Sequence, residues 1–213
     1  MPALTKRRAN DKRPRGDYYE RNAGAYAAAT RNVDVSNLYG EFLPFVRPGG
    51  RVLDAGSGSG RDTRAFRGRG YEVDAFDASP KLAALSEFFT GVPTRVLRFQ
   101  EFDSPPVYDG IWACASLLHV PQAELVEVMG RLVAALKSGG ALYLSVKHGS
   151  GERIADDGRV FLDLDRNDLE QLFRRFPDMS LAKVWLSSGE GVRQGKDEWI
   201  NAIAVKNQAG EGP

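Results

Sequence analysis

The sequence predicts an α/β fold: a doubly wound, mostly parallel seven-stranded sheet with an antiparallel C-terminal hairpin strand. Three observations predict it. Short β-rich runs alternate with helical runs between residues 51 and 147, a glycine-rich turn follows the first β-rich run, and two late β-rich runs flank a polar loop. Regular alternation of strands and helices builds a parallel sheet with helices on both of its faces.

The N-terminal part is predicted to be helical. Between Tyr18 and Ala27 aromatic and small residues recur at helical spacing, which indicates one or two helices that end before Pro48. Alternating elements then follow, in which Ser79 suits a helix N-cap and Pro80 the first helical position. The predicted strands are 51–55, 71–77, 94–100, 108–115 and 141–147, and the predicted helices are 61–69, 79–91 and 121–140.

The C-terminal part is predicted to complete the sheet. A helix is expected from about Asp163 to Phe176, followed by strands at 179–187 and 197–207. The loop between these two strands is polar and contains Arg193 together with several glycines. Two late strands joined by such a loop predict a hairpin at the edge of the sheet.

The composition is that of one ordinary globular domain. The 213 residues are 42% hydrophobic and 27% charged, with a formal net charge of +1. The charge is uneven, because residues 1–15 carry about +5 and the remainder about −4. We therefore predict a basic arm over 1–15, a single domain over 16–206 and a flexible tail over 207–213. The arm is either a solvated tail or a segment that binds nucleic acid.

Residue usage excludes several classes of protein. Cys114 is the single cysteine, so neither a disulfide framework nor a cysteine-based zinc site is available. The longest mainly apolar stretch, Gly110 to Val120, is shorter than the ~20 residues that a membrane span needs. The basic N-terminus lacks the apolar segment of a secretory signal. We expect a cytoplasmic monomer or homodimer that uses no metal and contacts no membrane.

The segment RVLDAGSGSGRDT, Arg51 to Thr63, predicts where a ligand binds. Its glycines let the backbone turn sharply and a ligand approach closely, and ligands of such sheets bind at the carboxyl ends of the strands. The dinucleotide fingerprint G-x-G-x-x-G fails, because Arg61 stands where the third glycine should be. The spacing is instead D-x-G-x-G-x-G, and Asp54 suits a ligand with a cationic amino-acid head.

The next predicted strand indicates that this ligand is a nucleoside. Asp77 ends the strand 71–77, where an acid can accept hydrogen bonds from both hydroxyls of a ribose. The same acid could instead serve the N-terminus of the following helix. A cationic amino-acid head on a nucleoside describes S-adenosylmethionine.

Five stretches together resemble the class I S-adenosylmethionine-dependent methyltransferases. The chain is most similar to the branch that contains the tellurite-resistance methyltransferases, and the likeness runs from about Tyr18 to Lys206. It implies a Rossmann-like fold and S-adenosylhomocysteine as product. The sequence departs from the family at Ser57, where members often have cysteine, without consequence for binding by the backbone. The five stretches are LDAGSGSGRDT, FDASPKL, YDGIWACASLLHVP, LKSGGALYLSVKHG and EWIN.

The resemblance also implies which residues hold the cofactor. The glycines pack under its methionine part, Asp54 lies near the amino group and Asp77 binds the ribose. Glu101 lies near the adenine amino group with Phe102 beside the ring, and the end of the fourth strand flanks the methyl centre. The implied cofactor set is Asp54, Gly56, Ser57, Gly58, Gly60, Asp77, Ala78, Glu101, Phe102, Cys114 and Ala115.

Few residues are candidates for catalysis, because methyl transfer is an in-line displacement that depends mainly on positioning. A protonated nucleophile would still gain from a base. His119 and Lys147 lie on the ligand side of the sheet, although His119 could also be a histidine held by the backbone. Arg61 opens the first core helix, and Tyr18 is one of three tyrosines in a predicted N-terminal lid. If Arg61, Lys147 and Arg193 converge, they favour an oxyanion or a carboxylated metabolite as acceptor.

Three functions stay open on this basis. The leading one is a methyltransferase for a small molecule, with a tellurite-like oxyanion, a thiol or a carboxylated metabolite as acceptor. The second is an RNA- or nucleotide-modifying methyltransferase that uses the basic arm. The third is a protein that binds the cofactor without turnover. A nicotinamide-dependent oxidoreductase ranks last, because Arg61 and Asp54 do not fit a dinucleotide loop.

Overall fold

The computed structural model of the chain describes residues 17–189 and 197–208. The predicted basic arm, Arg193 and most of the predicted tail lie outside these residues. The strands are β1 (Arg51–Ala55), β2 (Glu72–Asp77), β3 (Thr94–Val96), β4 (Tyr108–Cys114), β5 (Leu136–Lys147), β6 (Gly151–Ile154), β7 (Val160–Asp163), β8 (Met179–Gly189) and β9 (Asp197–Lys206). The helices are α1 (Asp17–Thr30), α2 (Ser36–Phe42), α3 (Arg61–Gly68), α4 (Pro80–Thr90), α5 (Leu125–Ala135) and α6 (Arg166–Phe173).

Seven strands form one sheet in the order β3-β2-β1-β4-β5-β9-β8. Strands β1 to β5 are mutually parallel, whereas β9 is antiparallel to both of its neighbours. The predicted doubly wound sheet with an antiparallel C-terminal hairpin is confirmed. The strand order reverses between β1 and β4, and in such sheets the crevice at this reversal is where ligands bind.

The sheet buries a different hydrophobic cluster on each face. Alternation along β4 separates them, because successive side chains of a strand point to opposite faces. Ile111 packs with α5, whereas Trp112 packs with α2 and α3 and stacks on Tyr143 at 3.9 Å between ring centroids. Both side chains are fully buried. The helices on the two faces therefore hold the carboxyl ends of β1, β2 and β4 in fixed relative positions.

Two predicted elements end earlier than expected. The helix predicted over 121–140 is a 3-10 turn followed by α5, and it stops at Ala135 because Leu136 is extended and pairs with Tyr108 on β4. The strand predicted over 94–100 ends at Val96, and the chain then forms a 3-10 helix at Phe99–Glu101. By contrast α4 begins as predicted, with Ser79 Oγ accepting the Leu82 N–H at 3.2 Å.

The antiparallel hairpin of β6 and β7 was not predicted. A short turn joins the two strands and brings Ile154 opposite Val160. The hairpin lies just before the last predicted helix in the sequence. Asp163 therefore ends a strand rather than beginning a helix. Helix α6 begins at Arg166, because Asp165 caps it by accepting the Asp168 N–H at 2.8 Å. This hairpin supplies one wall of the site described below.

Candidate active site

The glycine loop after β1 has a backbone that only glycine adopts easily. Gly56 has φ of +80° and Gly58 has φ of +54°. The N–H groups of Gly56 and Ser57 both donate to the Phe76 carbonyl, at 3.0 and 2.9 Å, which ties the loop to β2. A Cβ on Gly56 would lie 2.6 Å from Ser116 Cβ. The loop is thus wedged between the ends of β2 and β4.

The loop also carries a polar atom without a hydrogen-bond partner in the described part of the chain. Ser57 Oγ is buried and no described group donates to it or accepts from it. Gly58 faces the ring of Tyr26, and a Cβ built on Gly58 would lie 3.4 Å from that ring. A buried unsatisfied hydroxyl in a native protein calls for an explanation. A polar ligand in the cradle formed by these loop residues would provide it.

Asp77 stands at the carboxyl end of β2, facing this loop. Its two carboxylate oxygens accept the Gly58 and Ser79 N–H groups, each at 2.9 Å. Burial raises its pKa, and the backbone hydrogen bonds, including one from Ala78, oppose that shift. Asp77 therefore serves the backbone of both the loop and α4 in this structure. Its predicted contact with a ribose stays a prediction.

Helix α1 lies over the loop and is fastened to α4. Glu20 accepts hydrogen bonds from Ser79 Oγ at 2.7 Å and from the Lys81 N–H at 3.1 Å. These bonds are at the N-terminus of α4, where a carboxylate is favoured by the helix dipole. The three predicted lid tyrosines all belong to α1. Tyr19 packs edge-on against Tyr26 with 5.1 Å between ring centroids.

Two buried carboxyls beneath the loop differ in ionisation. Burial, and then the charge of Asp62, raise the pKa of Asp54 to about 8, and its carboxyl accepts the Thr63 hydroxyl at 2.6 Å. Burial alone would raise the pKa of Asp62 too, but Arg61 and hydrogen bonds from Tyr39 and Trp112 lower it. Asp54 is thus the neutral one near pH 7, and it is only 2% exposed. Its predicted contact with a cationic amino group stays a prediction, and in this structure the carboxyl is engaged by Thr63.

Arg61 is likewise not an open anion ligand. Its Nε and Nη2 atoms donate to the two Asp62 oxygens at 2.7 and 2.9 Å, and the side chain is 20% exposed. Nη2 also lies 3.7 Å from Cys114 Sγ. The ion pair neutralises the guanidinium at the start of α3, and the catalytic or acceptor-binding role of Arg61 stays a prediction.

The predicted adenine contacts also change. Phe102 is fully buried and stacks on Phe76 at 5.4 Å, so its ring belongs to the core, and its contact with adenine stays a prediction. Glu101 is exposed, and it accepts from both the backbone and the side chain of Arg98 at 3.1 and 2.9 Å. Phe99 lies nearer to the loop, since a Cβ on Gly56 would be 3.6 Å from its ring. Phe99 is therefore the better aromatic candidate.

The end of β4 is strained and closely packed against β1. Ala115 has φ of +52°, and it is the non-glycine residue with positive φ among those described. Such a conformation costs roughly 1–2 kcal/mol and is typical of functional sites. Ser116 Oγ donates to the Ala55 carbonyl at 2.7 Å, which fixes the two strand ends together. Burial raises the pKa of Cys114 to about 11, so this residue is a thiol rather than a reactive thiolate.

The other side of the site is built around His119, which lies in a 3-10 turn just after β4. Its Nε2 lies 2.7 Å from the Tyr19 hydroxyl, and its Nδ1 lies 3.2 Å from the Val160 carbonyl on β7. Arg159 donates from Nη1 to the Tyr19 hydroxyl at 3.2 Å. Helix α1, the turn after β4 and the β6–β7 hairpin thus meet at one hydrogen-bonded network.

The remaining catalytic candidates lie at the margin of this network or outside it. The Tyr18 ring packs edge-on against Tyr19 and carries the Arg159 guanidinium at 4.3 Å from its centroid. Lys147 lies over the Trp199 ring, with 4.6 Å from Nζ to the centroid. Arg159 was not among the candidates from the sequence, and Tyr19 was predicted only as one of the lid tyrosines. An Asp-Gly pair at 157–158 between two β-rich runs is a hairpin signal that could have placed Arg159.

Within residues 17–189 and 197–208, no helix is long and apolar enough to cross a membrane. The same residues contain no group of three or more histidine, cysteine or acidic side chains arranged to hold a metal ion.

Known proteins are similar to this chain in sequence and in fold. The family described as a methyltransferase domain matches residues 27–189. The ubiquinone biosynthesis O-methyltransferase of Xanthomonas campestris pv. campestris is 31% identical over 105 residues. That match covers 46% of this chain and 43% of the relative, so the chain spans less than half the length of the curated relatives it matches.

Two solved structures share the fold. One is the 1,6-didemethyltoxoflavin-N1-methyltransferase of Burkholderia thailandensis with bound 1,6-didemethyltoxoflavin and S-adenosylhomocysteine; it has a TM-score of 0.66 and 22% identity, and the match covers 90% of this chain and 82% of that one. The other is a Haloferax volcanii protein in complex with the Trm112 methyltransferase activator, with a TM-score of 0.71, 15% identity, and 93% and 98% coverage. At these identities the likeness shows the fold.

Proposed function

The chain belongs to the methyltransferase-domain family of S-adenosylmethionine-dependent enzymes, and from this premise we propose that it methylates a small molecule. One observation supports the cofactor site above all others. The loop of left-handed glycines leaves Ser57 Oγ buried without a described partner, and it faces the acid that ends β2. A ligand with polar groups and ribose hydroxyls fits that cradle.

We assign the binding of the cofactor to residues at the ends of three strands. The loop backbone at Gly56 and Gly58 would hold the amino-acid part, with Ser57 Oγ as an additional partner. Asp77 and the N–H groups near Ala78 would hold the ribose, which requires the Gly58 N–H to exchange its hydrogen bond. Phe99 would line the adenine side. When bound, S-adenosylmethionine supplies an activated methyl group.

The acceptor would lie on the opposite side, between the end of β4 and the network of Tyr19, His119 and Arg159. Cys114 and Ala115, at the end of β4, would border that space. Because the displacement depends mainly on alignment, the principal contribution of these residues is to fix the position of the acceptor. His119 is the one candidate base whose ring is held by contacts from two other elements.

The residues and the relatives favour one class of methyl acceptor over the others. Convergence of Arg61, Lys147 and Arg193 would favour an oxyanion or a carboxylated metabolite as acceptor. The ion pair with Asp62 already engages Arg61, which weakens the case for an anionic acceptor. The Burkholderia neighbour has bound 1,6-didemethyltoxoflavin, and the Xanthomonas relative is named for ubiquinone biosynthesis. An organic small molecule is therefore the better proposal.

Calorimetric titration of the purified chain tests this proposal. We expect saturable binding of S-adenosylhomocysteine and no binding of reduced nicotinamide dinucleotide. The Ser57→Ala variant keeps the loop backbone and is expected to weaken that binding modestly. Binding of the nicotinamide, or of neither ligand, would overturn the assignment of the cofactor.

A further inference from the structure

Resting on the proposed function, we propose that the methyl acceptor is a hydroxyl compound and that Tyr19 accepts its proton, with His119 as the final base. The inference begins from the contacts of Tyr19, which joins three separate elements. It belongs to α1, bonds to His119 after β4 and receives a hydrogen bond from Arg159 on the β6–β7 hairpin.

The direction of the hydrogen bonds follows from the carbonyl of Val160. A carbonyl can only accept, so His119 must carry a proton on Nδ1, 3.2 Å away. In the neutral imidazole the Nε2 atom is then an acceptor. The Tyr19 hydroxyl, 2.7 Å from Nε2, therefore donates to it. With this tautomer, two hydrogen bonds run in the same direction: Tyr19 donates to His119, and His119 donates to the Val160 carbonyl on β7.

The hydrogen-bonding capacity that remains at the Tyr19 hydroxyl indicates which chemical group of an acceptor molecule can bind to it. A phenolic hydroxyl has one donor and two acceptor lone pairs. His119 takes the donor and Arg159 occupies one lone pair, at 3.2 Å. Among the described hydrogen bonds none occupies the second lone pair. An acceptor molecule can therefore bind there only with a group that donates, such as a hydroxyl.

The charges around Tyr19 favour a hydroxyl over an amine. Burial raises the pKa of Tyr19, and Arg159 opposes that shift, whereas Tyr18 and Asp77 add to it. The Arg159 guanidinium, 14% exposed, is paired with Asp157 at 2.8 Å. It lies within 5 Å of the Phe161 ring centroid as well. An oxygen gains negative charge as it loses its proton, which a guanidinium on the same hydroxyl stabilises, whereas a methylated amine gains positive charge.

The step balances as follows. The acceptor oxygen forms a bond to the methyl carbon while the carbon–sulfur bond breaks, and the electron pair of that bond remains on sulfur. The acceptor's proton moves to Tyr19 Oη as the Tyr19 proton moves to His119 Nε2. His119 becomes an imidazolium that keeps its hydrogen bond to Val160. Arg159 touches neither the acceptor nor the methyl group in this scheme and is a positioning residue.

4-Nitrophenol tests the proposal without knowledge of the natural acceptor, because its neutral and ionised forms absorb at different wavelengths. The probe is added to the complex of the protein with S-adenosylhomocysteine, at a pH below its own pKa. We expect saturable binding with the absorbance of the ionised form in the wild-type protein. Tyr19→Phe should lower the bound ionised fraction about tenfold, the size of one lost hydrogen bond. Tyr71→Phe, which removes a phenol hydroxyl from a ring that packs against Phe66 in the other hydrophobic cluster, should leave it unchanged.

Nitrogen NMR supplies a second readout, because the chain has only two histidines. With His148→Gln to assign the signals, His119 should be the Nδ1–H tautomer in the free protein and become an imidazolium when 4-nitrophenol binds. An ionised signal retained in Tyr19→Phe, a neutral His119, or the absence of saturable binding would each overturn the proposal. Failure to bind S-adenosylhomocysteine would instead overturn the proposed function.

Discussion

The cofactor side of the site consists mainly of backbone groups from one segment, whereas the acceptor side consists of side chains that are distant in the sequence. On the cofactor side, backbone N–H groups and the Asp77 carboxylate come from one continuous stretch between β1 and α4. On the acceptor side, His119 and Arg159 lie 100 and 140 residues from Tyr19 along the chain. Backbone geometry is encoded locally by glycine spacing, whereas convergence of distant side chains depends on the whole fold. This difference determines which substitutions should affect which half.

Gly56→Ala should have the largest effect. A left-handed residue with a Cβ costs about 1–2 kcal/mol, and the predicted 2.6 Å approach to Ser116 adds about 1–3 kcal/mol of overpacking. We expect the free energy of unfolding to fall by about 2–5 kcal/mol, measured by chemical denaturation, with loss of S-adenosylhomocysteine binding.

Gly24→Ala is the matched control, because a Cβ on this α1 glycine meets nothing within 4 Å. It should stabilise the protein by up to about 1 kcal/mol through helix propensity. Equal destabilisation by Gly56→Ala and Gly24→Ala would show that the loop does not require glycine at position 56.

Asp54→Asn should change the pH dependence of stability. The folded pKa of Asp54, about 8, is raised above its ordinary value, so between about pH 4 and pH 8 the folded state holds a proton that the unfolded state has lost. Wild-type stability should therefore fall relative to the variant as pH rises through this window. Chemical denaturation of both proteins at pH 5.5 and pH 8.5 measures the difference between their free energies of unfolding. This difference should be larger at pH 8.5 by at least about 1 kcal/mol. A constant difference would mean that Asp54 is ionised throughout.

Arg159→Gln should separate the two halves. It removes a largely buried ion pair on the hairpin, for which we expect a loss of about 1 kcal/mol in stability. Affinity for S-adenosylhomocysteine should stay within about twofold, because the described side-chain contacts of Arg159 are with Asp157 and with rings on the acceptor side. Arg153→Gln, on the same hairpin and over the same Phe161 ring, is the control. Selective loss of cofactor affinity in Arg159→Gln would place the hairpin on the cofactor side.

Glu101→Gln should have the smallest effect. The carboxylate is exposed to solvent and forms an ion pair with Arg98 on the surface of the protein. We expect an unchanged Tm and an unchanged affinity for S-adenosylhomocysteine. A clear loss of affinity by calorimetry would restore the adenine contact that the family resemblance implies.

The two halves also differ in how far sequence predicts them. The alternation of strands and helices, the glycine loop and the place of Asp77 at the end of a strand were predicted, because each follows from periodicity or from spacing within a short segment. The burial of Phe102 was not predicted, because the chain forms a 3-10 helix at Phe99–Glu101, which rotates Phe99 toward the loop and Phe102 into the core. Spacing alone could not predict that rotation.

The acceptor side was predicted only in part. His119 was identified from its position after β4, but its partners depend on the β6–β7 hairpin, which lies in a stretch without a strong periodic signal. Tyr18 was favoured over Tyr19, although adjacent residues on a helix point in directions about 100° apart and only one can reach His119. The ion pair of Arg61 with Asp62 depends on buried partners from α2 and β4. These contacts become visible only when the tertiary structure is known.

The most direct test of this division is one calorimetric series with S-adenosylhomocysteine on three proteins of confirmed Tm: wild type, Asp77→Asn and His119→Gln. We predict that Asp77→Asn weakens binding about tenfold or more, because it removes a charged hydrogen-bond acceptor at the cofactor side. His119→Gln should bind within about twofold of wild type. Equal affinity in all three proteins, or a greater loss in His119→Gln than in Asp77→Asn, would contradict the assignment of the two sides.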